Sequence, residues 1–271
     1  MKYMTFNSSC SYAGVANMLA QYGMDTEDRT IAQEMRLPYL FAKEDGAYHA
    51  GPMLQSAPWF HLYLHPIGFT MRETQISRAQ VPAILQGEKT AMLGIRVSPK
   101  NKHAVVYQGI EDGKYRFLNN KWQHTEEPEQ FLLTAPELLS QLDDHVRIAT
   151  LHPIQRREVA FQPILQQSIR VLGDLKQDIQ QFCHSEQSLQ AIARARNTLF
   201  RAILLDAITM LTLSGETVLA EKLRSVQSEF MTAMRKNTAI TLSKEISVAI
   251  LVEAIEDYQQ RIEQRSILEK C

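Results

Sequence analysis

The composition and the spacing of apolar residues change near residue 153, and this change limits the folds that the chain can adopt. Before that point lie nearly all the prolines, most of the glycines and both tryptophans, and short segments alternate between apolar and polar residues. After Pro163 the apolar residues recur three and four apart, which is the spacing of amphipathic helices. We therefore predict two domains, an α+β domain at residues 1–153 and an all-α helical bundle at residues 154–271.

The first half contains several stretches with the alternation that half-buried strands show. Strands are expected at residues 90–97, 102–110, 114–120 and 145–153. The sequence Glu111-Asp112-Gly113 predicts a turn that joins the second and third strands into a hairpin. Helices are expected at residues 11–22, 27–36, 52–58, 78–86 and 135–142. Helices packed on an antiparallel sheet are the α+β arrangement that this order predicts.

The second half is expected to form four amphipathic helices. Their apolar faces run over residues 165–182, 189–203, 218–230 and 246–262. Breaks between them are predicted at residues 184–185, 214–215 and 236–237. Polar side chains in this half are interpreted as a solvated face, and the bundle offers a surface through which the chain is expected to form a homo-oligomer.

Composition narrows the classes of partner. A net charge of −1 with 45% hydrophobic and 22% charged residues gives no electrostatic reason to expect nucleic acid or an anionic membrane. No uninterrupted apolar run approaches the eighteen residues that a spanning helix needs, and residues 1–10 lack the apolar core of a secretory signal. The three cysteines are too scattered for a disulfide framework or a metal site, which favours a reducing, cytoplasmic setting. Cys183 is expected to be packed at a helix end, and Cys271 to lie in a frayed tail.

Cys10 follows Asn7-Ser8-Ser9 and precedes a predicted amphipathic helix, so it lies at the helix start. Backbone N–H groups without intrahelical partners point outward there, and the helix dipole favours a thiolate over a thiol. Such a position suits a nucleophile. A lone cysteine in a cytoplasmic chain is more often a small buried hydrophobic residue, so the interpretation needs a partner for the sulfur.

His103 is the histidine best placed to be that partner. It stands at the start of a strongly apolar strand, where a rigid scaffold can hold it beside a cleft, as a general base requires. Asn119 ends the next strand, sixteen residues later. The intervening hairpin brings the two positions together, so Asn119 is expected to bond one imidazole nitrogen and leave the other free to face a thiol.

These residues resemble the papain-like cysteine peptidase superfamily, in particular double-glycine leader peptidases and the N-terminal domain of butirosin acyltransferases. In the peptidase group a Cys opens a helix ending in Tyr-Tyr-Gly, and a later His begins the pattern His-hydrophobic-Val-Val-x-x-Gly, with Asp or Asn sixteen residues after the His. The positions that match are Cys10, Tyr22-Gly23, His103, Val105-Val106, Gly109 and Asn119. Residues 82–95 also match the helix and strand that usually precede the His. The resemblance covers about residues 1–153 and implies a papain-like fold with a catalytic triad of Cys10, His103 and Asn119.

Two positions depart from the family pattern. The peptidases usually carry a Gln six residues before the Cys, where this chain has Met4, which cannot donate a hydrogen bond to an oxyanion. Asn7 and Ser8 are the candidates to supply that donor, together with the backbone N–H of Cys10; loss of one such donor costs about 10²–10³ in rate. Ser11 stands where the peptidases usually have Gly.

The candidate substrate-binding residues are Ser11 and Tyr12, directly after the nucleophile, and Tyr48 and His49, in the predicted loop 41–52. By resemblance, the expected substrate is a peptide, an amide or an acyl thioester, including one bound to a carrier protein, and no cofactor or metal is implied.

His61 and His65 lie four residues apart and could share a metal on a helix, but alternation favours a strand or irregular wall in which they pack.

The sequence thus supports a papain-like thiol enzyme that forms a thioacyl intermediate on Cys10 and acts as a peptidase, an amidase or an acyltransferase. The alternative is a binding or assembly module that keeps the fold and has lost the chemistry. Met4 and Ser11 favour this alternative.

Overall fold

A computed structural model describes residues 1–98 and 101–268 and divides the chain into two compact units. The first unit comprises residues 1–35 and 55–159, and the second comprises segment 36–54 together with the chain from residue 160 onward. The division differs from the expected domains in segment 36–54, which forms a hairpin of strands β1 (Phe41–Glu44) and β2 (Ala47–Ala50). Pro99, Lys100 and Cys271 lie outside the described residues, so the tail expected at Cys271 is not addressed.

The first unit is built from short helices and a sheet. Its helices are α1 (Cys10–Ala20), α2 (Asp28–Glu34), α3 (Ala57–Leu64), α4 (Val81–Gly87) and α5 (Ala135–Gln141). Its strands are β3 (Phe69–Ser77), β4 (Ala91–Ser98), β5 (Asn101–Glu111), β6 (Lys114–Asn119), β7 (Gln130–Leu133) and β8 (His145–Pro153). Within the described residues these six strands form one antiparallel sheet in the order β3-β8-β4-β5-β6-β7. The predicted α+β class is confirmed.

The four predicted strands correspond to β4, β5, β6 and β8, whereas β3 and β7 were not predicted. These two strands lie at the edges of the sheet. Much of β3 is exposed and β7 has only four residues, so neither carries the apolar alternation of an interior strand. Strand β5 also contains one residue more than β6 beside it: Tyr107 pairs with Phe117, but Gly109 pairs with Arg116. Gly109 has φ of +122°, a conformation that glycine adopts at little cost.

The sheet carries the hydrophobic core on one face, where α4 and α5 contribute Val81, Leu85 and Leu138 to a cluster with the strands. Helix α1 packs against β4 and β5. It was predicted to be amphipathic, but every residue from Ser11 to Leu19 is buried, so it is a core helix with no solvated face. Gly14 permits this close packing, because a Cβ there would overlap the sulfur of Met92.

The second unit is helical apart from two short strand pairs within its described residues. Its helices are α6 (Phe161–His184), α7 (Leu189–Ala195), α8 (Ala207–Leu213), α9 (Thr217–Ala233) and α10 (Val248–Leu268), and strands β9 (Glu186–Gln187) and β10 (Ile240–Thr241) pair with each other. The helical region predicted after the sheet is confirmed. The second predicted helix is interrupted by π-helical segments, Arg196–Phe200 and Ala202–Asp206, which separate α7 from α8.

Cys183 is fully buried near the end of α6, and burial raises the pKa of its thiol to about 12. This agrees with the packed position expected for it and makes it a poor nucleophile in the folded chain. None of the helices in the described part of the chain combines the length and apolar character that crossing a bilayer requires.

Candidate active site

Cys10 is the first residue of α1 and is partly exposed. The chain reaches it through a tight turn in which Ser8 has φ of +64°, a left-handed conformation that is uncommon for a residue other than glycine. Ser9, the N-cap, is fully buried, and its hydroxyl oxygen has no hydrogen-bond partner among the described residues. The sulfur is therefore presented at a helix start, where unpaired N–H groups favour negative charge.

Gln55 holds the turn that presents Cys10. Its amide Nε2 donates to the carbonyl oxygen of Ser8 at 2.9 Å, and its Oε1 accepts from the hydroxyl of Ser11 at 3.0 Å. The side chain of Gln55 thus links Ser8, before the pair Ser9-Cys10, to Ser11, after it. Sequence reasoning missed Gln55, because it lies 47 residues from Ser8 and belongs to no local motif.

The structure corrects two of the candidate substrate-binding residues. Ser11 is buried and its hydroxyl is occupied by Gln55. Tyr12 is 0% exposed, and its ring contacts the rings of Phe6 and Phe60, with centroid distances of 5.7 and 5.1 Å. Both side chains belong to the stretch of α1 from Ser11 to Leu19 that is buried throughout, so they face protein rather than solvent.

His103 and Asn119 lie side by side on β5 and β6. The Nδ1 of His103 is 2.7 Å from Oδ1 of Asn119. The amide nitrogen of Asn119 donates to Oε2 of Glu127 at 3.1 Å and to the carbonyl oxygen of Pro128 at 3.2 Å. Because both of these partners can only accept, the amide oxygen must face the imidazole, so Nδ1 of His103 carries the proton. The lone pair of the neutral ring is then on Nε2, the nitrogen that a general base would use.

The candidate oxyanion donors occupy different surroundings. Met4, at the position where the peptidases have Gln, is buried; its backbone N–H donates to the carbonyl oxygen of Lys121 at 2.9 Å, and it forms a parallel bridge with Trp122. Asn7 is exposed, and no hydrogen bond joins its amide to another described residue. The half-buried Ser8 has its carbonyl oxygen taken by Gln55. The bond from Gln55 leaves the hydroxyl of Ser8 unoccupied, so the amide of Asn7 and this hydroxyl both stay candidate oxyanion donors.

Tyr48 and His49 lie on β2 and belong to the second unit. The hydroxyl of Tyr48 donates to Oδ2 of Asp178 at 2.6 Å and accepts from Nζ of Lys43 at 2.8 Å. Burial and the bond to Asp178 raise the pKa of Tyr48 to about 12, so the phenol stays neutral. Tyr48, Lys43 and Asp178 line a cavity of about 550 Å³ in that unit, whereas His49 is half-buried. The predicted loop is thus a hairpin, and a role for either residue in substrate binding stays a prediction.

His61 and His65 belong to α3 and its C-terminal end, so the strand or irregular wall predicted for them is wrong. Pro58 follows the N-cap Ser56, a typical helix start that outweighs the alternation. The two rings stack with centroids 4.2 Å apart, and Nε2 of His61 is 2.9 Å from the carbonyl oxygen of Met71. Burial lowers the pKa of His65. Across the described residues no cluster of three or more potential ligand side chains could hold a metal ion.

The chain matches no family model, and no curated protein sequence matches it. Among solved structures it is similar to the peptidase domain of Streptococcus ComA, a bi-functional ABC transporter involved in a quorum sensing pathway. The two share 10% sequence identity with a TM-score of 0.38, and the match covers 56% of this chain and 96% of that domain. A likeness at this level carries no information on activity, and the chemistry of the site has to be judged from its own residues.

Proposed function

We propose that this chain is a cysteine peptidase-like thiol enzyme in which Cys10 is the nucleophile, His103 the general base and Asn119 the residue that orients the imidazole. The observation that carries this proposal is the hydrogen bond of 2.7 Å between His103 and an Asn119 amide whose orientation is fixed by two acceptors. It supports a single tautomer of His103 in which Nε2 is available for proton transfer.

The reaction follows from these roles. Nε2 of His103 takes the proton of the Cys10 thiol, and the thiolate attacks a carbonyl carbon to form a C–S bond and a tetrahedral oxyanion. The backbone N–H of Cys10 and the amide of Asn7 are the donors proposed for this oxyanion. Collapse breaks the bond to the leaving amine or thiol, which takes the proton from His103. Water or an amine then attacks the thioacyl carbon, with His103 again moving the proton, and releases the thiol of Cys10.

The acyl donor can be an amide, as in a peptide, or a thioester, including one carried by a protein. A thioester suits this site better, because its carbonyl is more electrophilic and depends less on the oxyanion donor that Met4 cannot supply. We therefore place a thioester ahead of a peptide amide as the acyl donor in the proposed thiol chemistry.

The first experiment tests whether the thiol and the imidazole meet. The bifunctional reagent 1,3-dibromoacetone is expected to join Cys10 and His103 covalently, and peptide mapping by mass spectrometry would identify the crosslink. The variant His124→Ala, which removes an exposed histidine, is the matched control and should crosslink as the wild type does. Alkylation of Cys10 without any crosslink to His103 would contradict the proposed pair.

The second experiment tests the thioacyl step. Incubation with an acyl thioester of N-acetylcysteamine should add the acyl mass to Cys10, and His103→Ala should suppress the adduct, whereas Cys183→Ala should leave it unchanged. Addition of a primary amine should release an amide if the chain is a transferase, and only free acid if it is a hydrolase. Absence of any adduct in the wild type would favour the binding or assembly module, for which Met4 and Ser11 are the supporting features.

A further inference from the structure

Glu127 is the only charged side chain bonded to Asn119 among the described residues, and it lies on the far side of the amide from His103. We propose that Glu127 is a positioning residue that fixes the imidazole of His103 through the side chain of Asn119. This inference rests on the proposed function, because it names what holds the proposed base in its productive tautomer.

The amide of Asn119 has two orientations that differ by exchange of its oxygen and nitrogen. In the observed one, Nδ2 donates to the carboxylate of Glu127 and to the carbonyl oxygen of Pro128, while Oδ1 accepts from His103. The reversed orientation would set the amide oxygen against two acceptors and the NH₂ group against the N–H of the ring. The two hydrogen bonds to Glu127 and Pro128 would be lost outright, the first of them charge-assisted, and the bond to His103 would survive only if the ring changed tautomer. Glu127 therefore selects the orientation in which Nε2 of His103 is the basic nitrogen.

The backbone that carries Glu127 is itself anchored. The buried Lys121 donates from Nζ to the carbonyl oxygens of Thr125 and Glu127, at 2.7 and 2.6 Å. On the other side, the backbone N–H of Asn119 donates to the carbonyl oxygen of Glu129 at 2.9 Å. The exposed side chain of Glu127 is thus held beside Asn119 by a fixed loop, which lowers the entropy cost of its bond to the amide.

The test compares Glu127→Ala, Glu127→Gln and the matched control Glu126→Ala, which removes a neighbouring exposed carboxylate with no bond to a described residue. The readout is the pH profile, from pH 4 to 10, of the rate at which iodoacetamide alkylates Cys10, measured by mass spectrometry. Wild type and Glu126→Ala should show the same plateau below pH 8. Glu127→Ala should lower the plateau about fivefold, the loss expected for one hydrogen bond of about 1 kcal/mol.

Glu127→Gln separates geometry from charge. Its side-chain oxygen can still accept from Asn119, so the plateau rate should return to within about twofold of wild type. Loss of the negative charge should move the alkaline end of the plateau, where the imidazolium loses its proton, to lower pH. A merely structural role for Glu127 would lower the rate at every pH without moving this limb.

The outcomes distinguish this inference from the function on which it rests. If wild-type Cys10 reacts like an ordinary thiol, with no plateau below pH 8, the proposed function and this inference both fail. If the wild type shows the plateau but Glu127→Ala and Glu126→Ala match it, only the role of Glu127 is overturned. Equal melting temperatures of the three variants, measured by circular dichroism, would show that a lowered plateau does not come from unfolding.

Discussion

Asp206 lies at the end of the second π-helical segment, in the interior of the helical unit, with 4% of its side chain exposed. Its Oδ2 accepts from Nε of Arg201 at 3.2 Å. Burial raises the pKa of Asp206 from 3.8 to about 6, although the guanidinium of Arg201 acts in the opposite direction. The carboxyl group therefore holds its proton in the folded chain at pH values where the unfolded chain has already released it.

This difference sets the sign and the size of a pH effect. Between about pH 4 and pH 6 the folded state binds one more proton than the unfolded state, so the free energy of unfolding falls as the pH rises through this window. A shift of about two units at 1.36 kcal/mol each amounts to about 3 kcal/mol. Asp206→Asn keeps a side chain of the same size that never ionises. Its stability relative to the wild type should increase by about 2–3 kcal/mol from pH 4 to pH 7.

The assay is urea unfolding at pH 4 and pH 7, followed by circular dichroism at 222 nm, which is dominated by the helices of the second unit. Both tryptophans, Trp59 and Trp122, belong to the first unit, so their fluorescence follows the unfolding of that unit and the signal at 222 nm is the one used for Asp206→Asn. Other carboxylates titrate equally in both proteins and cancel in the difference. A stability difference between variant and wild type that is the same at both pH values would refute the reasoning.

Three further outcomes are expected. Limiting iodoacetamide at pH 7 should modify Cys10 well before Cys183, because burial raises the pKa of the Cys183 thiol to about 12; equal rates of labelling, measured by peptide mapping, would contradict this. Thr134→Ala removes the N-cap of α5 and should lower the free energy of unfolding of the first unit by about 1 kcal/mol, measured by tryptophan fluorescence in urea. Tyr258→Phe leaves the carbonyl oxygen of Pro38 without its hydroxyl donor in a buried site and should cost about 1–3 kcal/mol, measured by circular dichroism; no change would indicate that water replaces the hydroxyl.

The strands around the candidate site could be predicted because their signal is local. β4, β5 and β6 alternate strongly, and a short turn fixes how the last two pair. The proximity of His103 and Asn119 follows from that hairpin, and their hydrogen bond is observed. The catalytic role of the pair stays a prediction.

The residues that sequence analysis missed act through side chains that meet across long stretches of chain. Gln55 reaches the turn before Cys10 from 47 residues away, and Glu127 reaches Asn119 from an irregular loop, so neither contact has a periodic signature. The error at Tyr12 has a different cause. Its neighbours suggested a half-solvated helix, but other elements cover both sides of α1, and burial depends on packing that a single helix does not encode.

The extra residue in β5 determines which of two neighbouring asparagines, Asn119 or Asn120, can bond to the imidazole of His103. Near the turn, Glu111 pairs with Lys114, and this register continued without interruption would set Val105 opposite Asn120. Because of the insertion before Gly109, Val105 pairs with Asn119, which therefore shares the side of the sheet that His103 occupies. Asn120 points the other way and donates to the backbone of β5. The number of residues in β5 thus decides that Asn119 bonds the imidazole of His103, whereas its chemically identical neighbour Asn120 bonds the backbone of β5.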